Sequence, residues 1–285
     1  MRNLAEEQNQ FNTVFEDWLR SHLELLSRQP DYAPILLQSQ SYSLLSGGKR
    51  FRPFLTHLVH RLFSDDRQKL RSFCLGIEMV HTYSLIHDDL PCMDDDEMRR
   101  GQPTNHIRFS EDIALLAGDG LLTDTFCLLA RDTELPESVR IKLIEILSEL
   151  TGSAGMVSGQ VFDMKATADI SLDQLEQIHR LKTANLIQAA AVGGALIAGA
   201  NEQETACIKN FGLHIGMAFQ IQDDLLDGTD KEQSYKSYLS LLGSAGAARE
   251  LQKHSEQALN LLSQLAKRDT SILRQLVAFN LQRSH

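Results

Sequence analysis

Apolar residues recur three and four positions apart along most of this chain, and nowhere do they alternate with polar ones between turn signals. Phe11, Val14, Phe15, Trp18, Leu19, His22, Leu25 and Leu26 lay one stripe along a helix that Pro30 and Pro34 then end. Shorter stripes follow at Phe73-Ile77-Val80, Ile141-Ile144-Leu147 and Ile208-Phe211-Ile215-Phe219. A helix with one apolar stripe must bury it against other helices, so the pattern predicts an all-α bundle. Ala189, Gly193, Gly194, Ala195, Ala198 and Gly199 add little intrinsic helix stability, and such small side chains predict a central helix that its neighbours approach closely. With six Pro, 17 Gly and no Ser/Gly-rich linker, residues 1–285 read as a single domain.

Acidic side chains outnumber basic ones by 38 to 28, a formal charge of -10 that argues against nucleic acid as a partner. At 42% hydrophobic and 23% charged residues, the chain can bury a sizeable core and is not generally disordered. Cys74, Cys92, Cys127 and Cys207 form no CxxC pair and read as reduced thiols in a cytoplasmic protein. Residues 1–10 are polar and acidic, unlike a signal peptide, and the apolar stretch 186–200 is shorter than the ~18 residues a membrane span needs. No membrane span is expected.

Two acidic clusters carry the chemistry. In Asp223-Asp224-Leu225-Leu226-Asp227, Asp223 and Asp227 lie one helical turn apart on one face. Such a pair is cheap on a solvated surface and needs a cation if enclosed; Phe219, Ile221, Leu225 and Leu226 around it favour an enclosed cleft. In Asp88-Asp89-Leu90-Pro91-Cys92-Met93-Asp94, the proline must break the helix, which can swing Asp94 back toward Asp88. His81, Ser84 and Asp88 share one stripe upstream, and Arg99 and Arg100 follow with guanidiniums suited to phosphate. Only oxygens are offered, without a Glu-x-x-His pair or a calcium loop, so Mg²⁺ shared with substrate phosphates is favoured, and His87 reads as a neighbour rather than a ligand. There is no Walker A and no Gly-x-Gly-x-x-Gly. Gly47-Gly48-Lys49-Arg50-Phe51-Arg52-Pro53 places three cations within four residues, fitting either a second anion cradle or a helix start with solvated basic residues.

With these segments stand Ala117-Gly118-Asp119, Gly159-Gln160-Val161-Phe162-Asp163, Lys182-Thr183 and Phe219-Gln220-Ile221-Gln222. In this order they resemble the trans-isoprenyl diphosphate synthases, most closely the bacterial farnesyl diphosphate synthases, over roughly residues 40–240. The resemblance implies a helical bundle around a deep central cavity, usually homodimeric, that condenses isopentenyl diphosphate with dimethylallyl and geranyl diphosphates to give mainly farnesyl diphosphate. It implies three Mg²⁺ ions held by Asp88, Asp94 and Asp223, with Asp89 and Asp227 in support. Arg99 and Lys182 would assist the allylic diphosphate, and Gly48, Lys49, Arg52, His81 and Arg100 would hold isopentenyl diphosphate. Thr183 and Gln220 would turn oxygens toward an allylic cation, while Tyr83, with Ser84 beside it, would plug the growing chain. After Asp227 the sequence departs from the family: the segment is short, Lys236 matches the family's second lysine there and Lys231 matches neither, through either a shortened loop or a missing stretch. A class I terpene cyclase would share the aspartates but have no use for Lys49, Arg52 and His81; a silent partner subunit is the other alternative.

Overall fold

The computed structural model describes residues 3–228 and 236–283; Lys231 lies outside them. The described helices run in order as α1 (Leu4–Ser27), α2 (Pro34–Leu44), α3 (Phe51–His60), α4 (Arg71–Asp88), α5 (Asn105–Arg108), α6 (Glu111–Ala130), α7 (Glu137–Thr151), α8 (Met156–Lys165), α9 (Leu172–His179), α10 (Asn185–Ile197), α11 (Glu202–Asp227), α12 (Tyr238–Gln264) and α13 (Ser271–Gln282). The expected all-α fold is the one found. Among the described residues the strands are two dipeptides, Met98–Arg99 and Gln102–Pro103, paired antiparallel. Contacts group the chain into two compact units, Ala5–Phe54 with Arg67–Ile144, and Met1–Leu4 with Leu55–Asp66 and Glu145–His285.

In the unit built on α1, α2, α4 and α6, Phe11, Phe15 and Leu19 are fully buried. Phe11 stacks on Phe15 at 5.8 Å and meets Phe54 at 5.7 Å. The stripe drifts at its end: Leu23 turns inward while Leu25 is 56% exposed. The prolines also act differently from expectation. The helix stops at Ser27, and Pro34 opens α2 at a first-turn position where its missing N–H leaves no bond unmade. Phe73, Ile77 and Val80 are buried on α4, which packs along α6. With a mean hydropathy of 1.6, α6 rather than the stretch 186–200 is long and apolar enough, by length and composition, to cross a membrane. It buries Ala114, Ala117, Gly118, Leu121, Thr125 and Leu129, while Leu115 and Leu116 face outward. On α7 the expected stripe holds at Leu147 but not at its start: Leu143, Leu147 and Leu150 are buried, Ile144 is half-buried and Ile141 is 64% exposed.

In the other unit α10 is almost wholly buried, and a Cβ on Gly194 would lie 2.4 Å from the Thr56 carbonyl oxygen, the close approach that small residues foretold. Helix α11 packs on both α10 and α12. Reciprocal capping boxes start α9 at Ser171/Gln174, α11 at Asn201/Glu204 and α12 at Ser237/Ser240, satisfying backbone donors left over by the first turn. Between α9 and α10 the helix widens into a π-helical turn, Arg180–Ala184, carrying Lys182 and Thr183. One extra residue in a turn re-aims its side chains without ending the helix.

Candidate active site

The basic segment before α3 is a built structure rather than a solvated helix start. Arg50 is turned inward, its Nη1 2.6 Å from Glu78 Oε1 and its Nε 2.8 Å from Glu16 Oε1, with Nη2 donating to the Leu44 carbonyl at 2.7 Å. Of the three cations read there, Arg50 therefore fastens the loop to α1 and α4 and is unavailable to a ligand. The backbone is left-handed at Gly47 (φ 84), Gly48 (φ 123) and Arg50 (φ 48). The backbone at Gly48 is one that only glycine adopts without strain, and the missing side chain leaves room for Arg100, whose guanidinium carbon would lie 2.9 Å from a Cβ there. Arg100 donates to the Gly47 carbonyl and, at 3.4 Å, to Ser46 Oγ. Arg100 (φ 52) and Gly101 (φ 76) form the two-residue turn between the short strands, which sends Arg99 and Arg100 to different partners.

His81, on α4, records how much positive charge converges. Burial first, then Arg52, Arg100, Arg99 and Arg50 hold its imidazole well below the ordinary value. A cluster of guanidiniums around a neutral imidazole is an anion site in waiting. Lys49 is exposed, its carbonyl accepting from Gln8 Nε2 at 3.2 Å.

Farther along the same helix, α4 ends at Asp88, and the chain does fold back as Pro91 implied: the Asp94 N–H donates to the Asp88 carbonyl at 2.8 Å. Asp89 is buried and held by Arg99, whose Nε lies 2.7 Å from Oδ1 and 2.9 Å from Oδ2, so Asp89 orients Arg99. Burial pushes the Asp89 carboxyl up against the lowering by Arg99. Tyr83 is buried one turn before His87, the rings edge-on at 5.7 Å, and burial with the Asp88 charge pushes its phenol up to about 12. Ser84 Oγ donates to the His81 carbonyl at 2.8 Å. His87 Nε2 lies 2.9 Å from the Leu115 carbonyl on α6.

In the other unit Asp163, the last residue of the Gly159–Asp163 motif, is the hub. Lys182 Nζ lies 2.6 Å from its Oδ2, and Lys236 Nζ lies 2.7 Å from its carbonyl and 3.4 Å from Oδ1. The two lysines hold its carboxyl below the usual range against the opposing effect of burial. A Cβ on Gly159 would sit 2.4 Å from the Lys182 nitrogen, so α8 presses directly on the π-helical turn. Thr183 Oγ1 donates to Gln220 Oε1 at 2.8 Å. On α11 Asp223 is half-buried and Asp227 exposed. Asp223 pairs with Arg283, whose guanidinium lies 4.4 Å over the Phe219 ring and whose carbonyl accepts from Gln222 Nε2 at 2.7 Å. Arg283 lies beyond residues 40–240, which carry the resemblance, and no sequence motif marks it.

Among the described residues no three His, Cys, Asp or Glu side chains converge on a metal position. Mg²⁺ takes one or two carboxylates and completes its octahedron with water and phosphate oxygens. The all-oxygen pairs Asp88 with Asp94 and Asp223 with Asp227 fit such an ion.

Buried histidines make the fold sensitive to acid. Burial and Lys182, opposed by Asp163, hold His179 at about 4, and burial with His214 holds His254 at about 4. His214 and His254 face each other Nδ1 to Nδ1 at 2.9 Å, a contact that needs one bare nitrogen. Both groups have native values depressed from ~6.5, so their contribution is present above that pH and lost as pH falls toward 4. Asp224, raised to about 6 by burial, opposes them only partly. We expect stability ~2 kcal/mol lower at pH 5 than at pH 7.5, lowering the thermal midpoint by several degrees. A flat midpoint across that range would contradict these environments.

The sequence profile of the polyprenyl synthetase family matches residues 33–269. The chain is 40% identical over 263 residues to the farnesyl diphosphate synthase of Bacillus subtilis (strain 168), covering 87% of this chain and 89% of that one. The chain belongs to the polyprenyl synthetase family. Among solved polyprenyl synthetase structures, an apo FPP/GFPP synthase from Zymomonas mobilis superposes with a TM-score of 0.88 at 34% identity, covering 98% of this chain and 99% of that one. A Helicobacter pylori geranyltransferase complexed with magnesium and isoprenyl diphosphate gives 0.78 at 32% identity, covering 95% and 96%.

Proposed function

We propose that the chain joins isopentenyl diphosphate head-to-tail to dimethylallyl and geranyl diphosphates, forming geranyl and mainly farnesyl diphosphate. One observation carries this reading: helix α4 presents a guanidinium cluster around His81 and, two turns on, the all-oxygen Asp88 segment. A ligand anion held without metal beside one held through metal is what a two-substrate transferase needs; a cyclase has a single diphosphate to hold.

In this reading Arg52, Arg100, His81, Lys49 and the Gly48 turn bind isopentenyl diphosphate. Asp88, Asp94 and Asp223 ligate Mg²⁺, three ions in all, with Asp89 and Asp227 supporting and Arg99, Lys182 and Lys236 adding charge. The ions supply Lewis-acid neutralisation of the departing diphosphate. As the allylic C–O bond ionises, the oxygens of Thr183 and Gln220 face the cation. The isopentenyl double bond attacks it, and the proton lost from the adduct passes to the diphosphate, so no side-chain base is required. Tyr83 and Ser84 close the floor. The family match, spanning both units, supports one catalytic domain. Exposed Leu115 and Leu116 on α6 support a homodimer, and four free thiols support a reducing, cytoplasmic setting.

Tyr83→Ala is expected to lengthen the product by at least one isoprene unit while keeping activity, read by chromatographic sizing; an active variant with unchanged products would move length control elsewhere. The reading as a whole is tested by incubating the protein with geranyl diphosphate, isopentenyl diphosphate and Mg²⁺. Farnesyl diphosphate is expected; cyclic product without isopentenyl diphosphate, or no product, overturns it.

A further inference from the structure

Asp224 is the aspartate of the second cluster that the metal pairing leaves over. One residue on from Asp223, it is rotated ~100° around α11, away from the Asp223 and Asp227 face. It is 7% exposed, and both oxygens are taken: Oδ1 accepts from Gln220 Nε2 at 3.0 Å and Oδ2 from the Tyr238 N–H at 2.9 Å. His179 Nδ1 stands 3.9 Å from Oδ2.

An ionised carboxylate only accepts, whereas a glutamine amide has one donating end and one accepting end. Asp224 therefore decides which way Gln220 points: with the NH₂ claimed, the carbonyl oxygen faces Thr183, whose hydroxyl donates to it at 2.8 Å. The second bond reaches the first residue of α12, two positions after Lys236, which docks on Asp163. One buried carboxylate thus sets the polarity of the Thr183–Gln220 pair and fixes where α12 begins.

We infer that Asp224 is a positioning residue that aims the Gln220 amide oxygen toward Thr183 and anchors the start of α12, without itself ligating metal or touching substrate. Its effect on turnover rests on the condensation reading above; its effect on hydrogen-bond order does not.

The test uses the full chain as Asp224→Asn, Gln220→Glu and the double variant. At position 224, Asn must give its oxygen to the Tyr238 N–H, which cannot reverse, so its NH₂ faces Gln220 and turns that amide around. Asp224→Asn is expected to lower kcat ~10-fold or more, with both KM values and the half-saturating Mg²⁺ concentration within about 3-fold of the parent. Gln220→Glu sets two carboxylates against each other and is also expected to lose activity. Together the substitutions restore a donor at 224 facing an acceptor at 220, with oxygen again toward Thr183, and kcat should recover ~10-fold over Asp224→Asn. A thermal unfolding midpoint that recovers in the double variant gives the same reading in the absence of any turnover. The inference is overturned if Asp224→Asn acts by raising the Mg²⁺ requirement, or if the two substitutions add without coupling in kcat and midpoint. A parent chain that shows no condensation overturns the proposed function alone, and the midpoint cycle then decides the role of Asp224.

Discussion

Replacing Asp88 or Asp223 by Ala is expected to lower condensation turnover by ~10³-fold or more while leaving the helix content in place. Diphosphate leaves an allylic carbon only when its developing charge is met, and on the proposed reading each substitution removes an oxygen ligand from an ion that the remaining carboxylates would hold poorly. The two variants should differ in stability. Asp223 pairs with Arg283, whose side chain is 5% exposed, so Asp223→Ala removes that guanidinium's carboxylate partner and should lower the midpoint more than Asp88→Ala. Circular dichroism with steady-state kinetics separates the outcomes. A folded variant with near-parental turnover would remove that residue from the metal site.

The largest stability effect should come from Arg50. Its guanidinium and the Glu78 carboxylate are both nearly sealed from solvent, with Glu16 and the Leu44 carbonyl taking further donors. Arg50→Met leaves Glu78 buried with its charge unanswered, a break that typically costs about 3–5 kcal/mol. The urea midpoint should fall accordingly, and activity with it, because Glu78 rides on the helix that carries His81 and Asp88. Adding Glu78→Leu should restore much of the loss, since an apolar pair replaces a stranded charge. A cost below ~1 kcal/mol for the single variant would show that water reaches Glu78.

What the sequence made legible follows from range. The 3.6-residue period specifies helices locally, and the same arithmetic puts Asp223 and Asp227 on one face, so the fold class and the shared face of that pair could both be read without tertiary information. Pro91 announced the fold-back of Asp94 for the same reason, its constraint being local. Partners chosen across the chain were hidden. Nothing near Arg50 says that Glu78 and Glu16 wait for it, nothing near Asp163 says that it collects Lys182 and Lys236, and Arg283 lies far from Asp223 in sequence. The π-helical turn carries no Gly or Pro to signal it. On α7, Ile141, Leu143, Ile144, Ile146 and Leu147 fit two registers, and only packing selects the face through Leu143 and Leu147. Asp224 was visible inside its motif, but its task depends on Tyr238 arriving from α12.

The proposed function divides labour between a metal-free guanidinium site and a metal-dependent aspartate site. Calorimetric titration tests it directly, using isopentenyl diphosphate and a non-ionising thio analogue of geranyl diphosphate, each with Mg²⁺ and with chelator. Isopentenyl diphosphate is expected to bind in both conditions and to be weakened by Arg100→Gln, while the allylic analogue is expected to bind only with Mg²⁺ and to be lost in Asp88→Ala. Metal-independent binding of the allylic analogue, or a strict metal requirement for isopentenyl diphosphate, would contradict it.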